Sequence, residues 1–363
     1  MNYLEEVKMK FDIVIGNPPY QENDNGKRDD GAANASASPI YNHFFYLARE
    51  VALKKVNLIF PARWLNGAGK GLSDFRRDML QDQHIRSMSV FKNASMLFPN
   101  TDIKGGVLYL TYDKEYIGPA DISVIDHDEQ RYKFKSYLNS AGSGVFIPYG
   151  ELVSIFEKVS KVADLKEENI GKITSVRKPY GLATNFFNDP QKFNLPEIYE
   201  EKQNKDDIEI LGLIEKKRTY RYVPVDYPIP DGRKTIYKWK VFASKAMGSG
   251  EFGEKVPSLS IGAPGQIATE TFIRIGAFND EFEVKALRKY YYSKFFRAML
   301  GISKTTHDAP ARVYSLIPLQ DFTKNSDIDW SLSISKIDQQ LYEKYGLDQE
   351  EVNFIESKVR SMG

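Results

Sequence analysis

Four consecutive residues near the start of the chain, Asn17, Pro18, Pro19 and Tyr20, carry the clearest chemical signal in the sequence. The side-chain carbonyl of Asn17 and the backbone carbonyl of Pro18 can both accept hydrogen bonds from an amino group. Proline fixes its φ angle, so the direction of this carbonyl is set before a substrate arrives. Tyr20 adds a face on which a flat ring can stack. The motif therefore predicts a site that holds and orients an aromatic amine.

Methyl transfer to the exocyclic amine of adenine is the chemistry that such a site would serve. This nitrogen is a poor nucleophile because its lone pair is delocalised into the ring, and it must pyramidalise to attack a sulfonium methyl group. Two fixed acceptors favour that change, each by about 3–4 kcal/mol by analogy with oxyanion holes. Inside a duplex the base must first be extruded, and Tyr20 would then stack on it. The alternative is a proline-rich turn that ends a strand.

The elements around the motif alternate between strand and helix, which predicts an α/β fold. Residues 11–16 are a short apolar run that predicts a buried parallel strand, with the motif at the carboxyl end where such sheets bind ligands. The further predicted elements are a helix over residues 40–55 ending in Lys54 and Lys55, a strand over 56–60, a helix over 74–82 capped by Ser73, and strands over 85–91 and 106–112.

At these residues the sequence resembles the Eco57I-type restriction-modification methylases, which are DNA adenine-N6 methyltransferases. The similar segments are the motif Asn17–Tyr20, residues 40–52, 56–65, 84–100 and 105–116, and the tail 326–359. The resemblance implies that Asn17, Pro18, Pro19 and Tyr20 are the catalytic amine-binding motif. It also implies that Phe98 pairs with Tyr20 around the flipped base. A buried core aromatic is the alternative for Phe98.

The resemblance implies S-adenosylmethionine as the methyl donor, but the family's main binding motif for it is not found in this sequence. That motif is a glycine-rich turn after a strand, followed by an acidic residue for the ribose. The nearest candidate, residues 67–71, is interpreted as a flexible loop. We therefore expect a truncated or split chain, completed by another chain that supplies the cofactor-binding half, and weak or no cofactor binding by this chain alone.

The fold class predicted from these signals is a partial Rossmann-like methyltransferase sheet, followed by a mixed α+β target-recognition domain and a helical tail. Turn residues accumulate between residues 113 and 150. The expected domains are the catalytic part over residues 1–115, the recognition domain over 116–330 and the tail over 331–363. A single helix is expected over 280–300, and a last helix capped by Asp348.

Basic and aromatic residues interleave in the recognition domain, which favours contacts with double-stranded DNA. The predicted DNA contacts are Arg177, Lys178, Tyr180, Lys217, Arg218, Lys238, Lys240, Gln266, Thr269 and Lys304. Taken singly, each cluster is more often a solvated surface, and only their recurrence favours DNA.

Bulk composition narrows the class of protein. The net charge is only +1, so local patches rather than a global field must attract DNA. Cysteine is absent and the four histidines are scattered, so no metal site is predicted. The N-terminus has no apolar signal core, and no apolar run is long enough to span a membrane. A cytoplasmic protein is expected.

Several functions remain open beside a site-specific adenine-N6 methyltransferase of a restriction-modification system. A non-catalytic DNA-specificity module that serves a partner methylase or endonuclease would explain the missing cofactor motif. The methylated group could instead be the N4 amine of cytosine, an amine of RNA or the side-chain amide of a protein glutamine, because each of these nitrogens is similarly unreactive. A nuclease site is disfavoured because no convincing aspartate precedes the acidic–basic strings at residues 200–202 and 215–217. A restriction subunit is a further expected partner.

Overall fold

A computed structural model describes residues 9–22, 38–67, 71–101, 103–248, 250–304 and 309–362 of the protein. The chain divides into two compact units, Met1–Glu157 and Lys158–Gly363. The division falls within helix α3 (Gly150–Val162).

In the first unit, six strands form one mixed sheet in the order β1-β2-β4-β3-β5-β6. They are β1 (Phe11–Gly16), β2 (Ala52–Pro61), β3 (Ile85–Phe91), β4 (Val107–Asp113), β5 (Ala120–Ile125) and β6 (Arg131–Ser136). β1 pairs parallel with β2 and β3 pairs parallel with β5, whereas β4 runs antiparallel between β2 and β3. The strands β1, β2, β3 and β5 therefore point the same way, and their carboxyl ends share one edge of the sheet.

Two helices, α1 (Tyr41–Val51) and α2 (Ser73–Gln81), cover one face of this sheet. Side chains alternate along a strand, so the buried residues Val56, Leu58 and Phe60 of β2 all point to that face. They pack in one core with Phe45 of α1 and Phe75 of α2. The core thus fixes β2, and with it the neighbouring β1, beneath the helices.

Three sequence expectations differ from this architecture. The strand over residues 11–16 was expected to be buried, but all of its residues except the half-buried Val14 are exposed. The helix expected to end at Lys54 and Lys55 ends at Val51, and both lysines lie in β2. The pairing of β2 with β4, which sets Lys55 opposite Asp113, outweighs the local helical pattern. The sheet also continues past the boundary expected near residue 115, because β5 pairs with β3.

The second unit contains two three-stranded sheets, β10-β9-β12 and β11-β7-β8, and four helices among its described residues beyond α3. The strands are β7 (Ile208–Ile214), β8 (Lys217–Val223), β9 (Trp239–Ser244), β10 (Ser260–Gly262), β11 (Gln266–Ala268) and β12 (Phe272–Phe278); the helices are α4 (Glu281–Tyr292), α5 (Lys294–Ser303), α6 (Ile334–Lys344) and α7 (Gln349–Lys358).

The helices of this unit differ from expectation at one point and match it at another. The single helix expected over 280–300 is broken at Ser293, whose extended backbone and side chain cap α5. Asp348 caps α7 in a capping box, as predicted. The tail is integrated into the unit, because Asp338 of α6 accepts hydrogen bonds from the backbone N–H groups of Lys294 (3.0 Å) and Phe295 (2.9 Å).

The predicted α/β class is confirmed, with a mixed sheet in the first unit. Within the described ranges, no helix combines the length and the apolar character that a membrane crossing requires.

Candidate functional site

The structure places Asn17–Tyr20 immediately after β1, at the edge where the parallel strands end. Gly16, the last residue of β1, pairs with Leu58 of β2. The backbone carbonyl of Tyr20 accepts a hydrogen bond from the N–H of Ile40 (3.2 Å), and Gln21 forms a β-bridge with Pro39. Residues 20–22 and 38–40 therefore lie side by side. Residues 23–37 lie outside the described residues.

Within the motif, Asn17 and Pro19 are exposed, whereas Pro18 and Tyr20 are half-buried. Tyr20 packs against the core of the first unit, and its hydroxyl oxygen is buried without a hydrogen-bond partner of standard geometry. Burial raises the pKa of Tyr20, and the nearby Asn17 side chain lowers it in part. The motif thus presents the exposed Asn17 amide beside the Tyr20 ring, which packing against the core holds in place.

Further polar groups that sequence reasoning missed lie at the same edge. Tyr41 and Trp64 are fully buried. Trp64 Nε1 has no hydrogen-bond partner among the described residues, and the Tyr41 hydroxyl, which lies beside Arg63, has none of standard geometry. Burial raises the pKa of Tyr41 to about 12, although the adjacent Arg63 guanidinium lowers it. The sequence could have indicated Arg63 and Trp64 by their position alone. Both follow the carboxyl end of β2, where ligands bind in such sheets.

Phe98 lies beyond the carboxyl end of β3, at the same edge of the sheet as Asn17. Its backbone N–H donates to the carbonyl of Ala94 (2.9 Å), in a turn whose start is capped by the Asn93 side chain. The ring is half-buried. β2 and β4 separate β1 from β3, so the structure brings Phe98 to the same edge without recording a contact with the motif.

Four of the predicted DNA contacts are buried inside the second unit. They are Tyr180, Lys240, Thr269 and Lys304. Lys304 forms an ion pair with Glu254, and the Tyr180 hydroxyl accepts a hydrogen bond from Thr235 Oγ1 (3.3 Å). A side chain without appreciable exposed surface cannot reach a phosphate or a base edge. The prediction of direct contact is therefore corrected for these four, whose side chains support the fold of the unit.

Lys240 holds a glycine-rich loop in place from within. Its Nζ donates hydrogen bonds to the backbone carbonyls of Ile236 (2.6 Å) and Gln266 (2.8 Å), and the Ile236 carbonyl also accepts from the N–H of Gly265 in the loop 262–266 (3.0 Å). Gln266 itself is occupied by protein groups: Oε1 accepts from the N–H of Ala263 (2.8 Å) and Nε2 donates to Glu209 (2.6 Å). The loop is thus a fixed element rather than a freely adaptable one.

This burial predicts a pH dependence of stability. Burial, together with the positive charge of Arg274, lowers the pKa of Lys240 to about 7. A lysine in the unfolded chain titrates near pH ~10.4. Between these values the unfolded state binds more protons, so the free energy of unfolding rises with pH, by at most about 1.4 kcal/mol per unit. We expect urea unfolding to show a gain of about 1 kcal/mol from pH ~8 to ~9 relative to Lys240→Met. If the free energy of unfolding changes with pH in the same way for the unaltered chain and for Lys240→Met, the lowered pKa of Lys240 is contradicted.

The other predicted DNA contacts retain at least partial exposure. They are Arg177, Lys178, Lys217, Arg218, Lys238 and Gln266. Lys217 and Arg218 begin β8, and Arg218 donates hydrogen bonds to Ser260 Oγ (3.0 Å) and to the carbonyl of Ser258 (2.6 Å). Lys238 hydrogen-bonds to Asn279. Residues 305–308, which follow Lys304, lie outside the described residues, as do residues 68–70 of the glycine-rich segment 67–71.

Comparison with known proteins finds a similar family over the part of the chain that contains the motif. Residues 2–98 match the sequence model of the Eco57I restriction-modification methylase family. An adenine-specific methylase of Mycoplasma pneumoniae, itself described as uncharacterized, is 34% identical over 148 residues, which cover 38% of this chain and 34% of that protein. The chain thus matches about a third of the length of this relative.

Two solved structures illustrate more distant likenesses. The type IIG restriction endonuclease BpuSI is 13% identical with a TM-score of 0.36, over 96% of this chain and 53% of that one. The type IIL restriction-modification enzyme MmeI, in complex with DNA, is 12% identical with a TM-score of 0.45, over 96% of this chain and 56% of that one. The family match confirms the resemblance predicted from the motif over residues 2–98.

Proposed function

We propose that this chain, whose residues 2–98 match the Eco57I restriction-modification methylases, holds a flipped adenine for N6 methylation at a specific DNA site. The observation that carries the proposal is the position of the motif. Asn17 is exposed directly after β1, at the carboxyl edge of the parallel strands and inside the matched region. Double-stranded DNA is the proposed substrate, and the cytoplasm is the proposed compartment.

Each residue of the motif has a proposed part in activating the amine. The Asn17 side-chain carbonyl and the Pro18 backbone carbonyl each accept a hydrogen bond from one of the two N–H groups of the adenine amine. This fixes the plane in which the nitrogen lone pair develops. Pro19 restricts the backbone that follows, and Tyr20 stacks on the base. Phe98 is proposed as the second aromatic residue around the flipped base.

S-adenosylmethionine, the donor that the family implies, supplies an electrophilic methyl group when bound. The described residues fit the reactive end of this chemistry, because the exposed Asn17 amide lies beside the half-buried Tyr20 ring, which suits an amine-bearing ring. They do not present a glycine-rich turn with an acidic partner for the adenosine. We therefore propose that a separate polypeptide segment holds most of the cofactor.

The outer edge of β1 supports a partner segment of this kind. Phe11, Ile13 and Ile15 point to one face of the strand and are 47%, 53% and 74% exposed. Among the described residues, no strand pairs with this edge of β1. Parallel strands are normally buried on both faces, so such a stripe favours a further covering layer.

Helix α1 carries a second apolar strip, which lies on the opposite face of the sheet from Phe11, Ile13 and Ile15. Tyr46 hydrogen-bonds to Asp78 of α2 (3.0 Å), which fixes the flank of α1 that faces α2. Phe44 and Leu47 lie on the opposite flank, by helical geometry, and are 38% and 43% exposed. A partner that adds a strand to β1, a helix beside α1 and a covering segment on the opposite face of the sheet would bury both the strip and the stripe.

Removal of the apolar stripe tests the partner proposal. We expect Ile13→Ser combined with Ile15→Ser to weaken association with a cofactor-binding segment of an Eco57I-family methylase by at least about tenfold, because the contact loses two buried side chains. The stability of the chain alone should change by only about 0.5 kcal/mol per site, since both side chains are exposed. Sedimentation titration measures the affinity.

The matched control is Ile117→Ser, because Ile117 is 72% exposed in the same unit but lies outside the stripe. Equal affinities for the stripe variant, the control and the unaltered chain would contradict the partner surface.

Reconstitution of methyl transfer tests the proposed function as a whole. The chain is mixed with the cofactor-binding segment, labelled S-adenosylmethionine and duplex DNA, and the nucleosides are then analysed. N6-methyladenine at one recurrent sequence supports the proposal. Specific DNA binding by the complex without methyl transfer would favour the alternative of a DNA-specificity module.

A further inference from the structure

Glu270 is a carboxylate buried in the second unit, between β11 and β12. Its side chain is 7% exposed, and its backbone N–H donates to the carbonyl of Leu182 (2.8 Å). The preceding residue, Thr269, is anchored in the same way to the carbonyl of Leu211 (2.9 Å). The carboxylate therefore occupies a fixed position in the fold.

Three cations from two other segments converge on this carboxylate. Arg177 Nε donates a hydrogen bond to Glu270 Oε1, Lys178 Nζ lies 3.5 Å from Oε2, and Lys245 Nζ lies 3.6 Å from Oε1. One cation would suffice to neutralise a buried carboxylate. Three leave an excess of two positive charges at a single point, which is the electrostatic arrangement of an anion site.

The three cations also face solvent, in contrast to the carboxylate that holds them. The side chains of Arg177, Lys178 and Lys245 are 70%, 46% and 27% exposed. The bond from Arg177 to Glu270 uses Nε, so the two Nη groups of the guanidinium can still meet a ligand. An incoming anion could thus reach all three without displacing Glu270.

The backbone at Lys178 is held in an unusual conformation. Its φ angle of 60° lies in the left-handed region, which residues other than glycine rarely adopt. The turn is closed by a hydrogen bond from the N–H of Gly181 to the carbonyl of Lys178 (3.0 Å). Such local strain persists only where the surroundings enforce it, and it is frequent at ligand sites.

Burial by itself would raise the pKa of Glu270, but the hydrogen bond from Arg177 and the charges of Arg177, Lys178 and Lys245 lower it below its usual value. Glu270 therefore stays ionised at neutral pH and keeps the three cations gathered.

We propose that Arg177, Lys178 and Lys245 form one binding site for a phosphate group of the DNA backbone, with Glu270 as the positioning residue that assembles it. This rests on the proposed function for its ligand, and Lys245 is a new member that the sequence motifs did not indicate. Contact with one phosphate contributes about 0.9 to the slope of log affinity against log salt concentration. Lys178→Ala and Lys245→Ala should each weaken binding to all DNA sequences alike and reduce that slope.

Labelling of lysine amines on the full chain, read by mass spectrometry, tests the site with two probes. One is inorganic pyrophosphate and the other is a DNA duplex. We expect both to slow labelling of Lys178 and Lys245 severalfold and to leave the exposed Lys336 on α6 unchanged. In Glu270→Gln, both amines should label faster without ligand and lose the protection by pyrophosphate. A purely structural role for Glu270 would leave that protection intact.

The two probes separate the failure of the site from the failure of the proposed function. Protection by pyrophosphate but not by DNA supports an anion site and counts against DNA as its ligand. DNA binding with unprotected Lys178 and Lys245 overturns the site and leaves the proposed function standing. Absence of protection by either probe overturns the site outright. Should Glu270→Gln fail to fold, Lys245→Ala decides, because an unchanged salt slope excludes Lys245 from the phosphate contact.

Discussion

Asn17→Ala is expected to reduce methyl transfer by about 100- to 1,000-fold in the reconstituted complex, with DNA binding nearly unchanged. The substitution removes one of two acceptors aimed at the amine, and loss of a preorganised group of this kind has effects of that size. Asn17 is exposed, so the fold should lose no more than about 0.5 kcal/mol. Single-turnover methylation measures the chemical step, and filter binding measures affinity for DNA.

The control for this experiment is Asn185→Ala, which removes an exposed asparagine whose side chain makes no capping hydrogen bond. It should leave methyl transfer unchanged. A fluorescent adenine analogue at the target position adds an independent readout, because base extrusion can be followed without turnover. If Asn17→Ala methylates as fast as the unaltered chain, the motif is a structural turn and the proposed function fails.

Phe45→Ala is expected to destabilise the first unit by about 3–5 kcal/mol, the range for truncation of a buried phenylalanine. The Phe45 ring is fully buried, and its centroid lies 6.0 Å from that of Phe60, 5.8 Å from that of Phe75 and 6.0 Å from that of Tyr112. The cavity would open beneath β2, the strand that positions β1. Hydrogen exchange of β2 amides measures the loss for this unit separately from the second unit.

The neighbouring residue provides a control of identical chemistry. Phe44 is 38% exposed on the same helix, so Phe44→Ala should cost less than about 1 kcal/mol in the chain alone. Phe44 also lies on the flank proposed to meet the partner segment, and its substitution should weaken that association. Equal destabilisation by the two substitutions would show that α1 does not pack as described.

The sequence alone determined those secondary-structure elements that depend on interactions between neighbouring residues. The strand before the motif is such an element, because an apolar run ending in Asn17 and two prolines leaves little alternative. The last helix is another, because Asp348 and Glu351 cap each other within three residues. The motif itself also needs only four neighbouring residues, which is why its presence and its place at a strand end were predictable.

Tertiary structure alone decided which basic residues can meet a ligand. Lys238 and Lys240 lie two residues apart with the same composition around them, yet Lys240 is fully buried and bound to two backbone carbonyls. Its partner Gln266 lies in β11, 26 positions further along the chain, and Arg274 of β12 is also near, so no local pattern could reveal this burial. The same holds for Glu270, which gathers cations from residues 93 and 25 positions away along the chain, counted from Arg177 and Lys245.

The extent of the sheet and the open side of β1 were likewise fixed by long-range pairing. β5 joins the sheet through β3, and the first unit therefore ends at Glu157 rather than at the boundary expected at residue 115. Periodicity along one strand shows which residues alternate, but not whether another chain segment covers them. The chemistry at Asn17 was therefore readable from sequence, whereas the exposure of Ile15 and the burial of Lys240 depend on residues far away in the chain that only folding brings near or leaves apart.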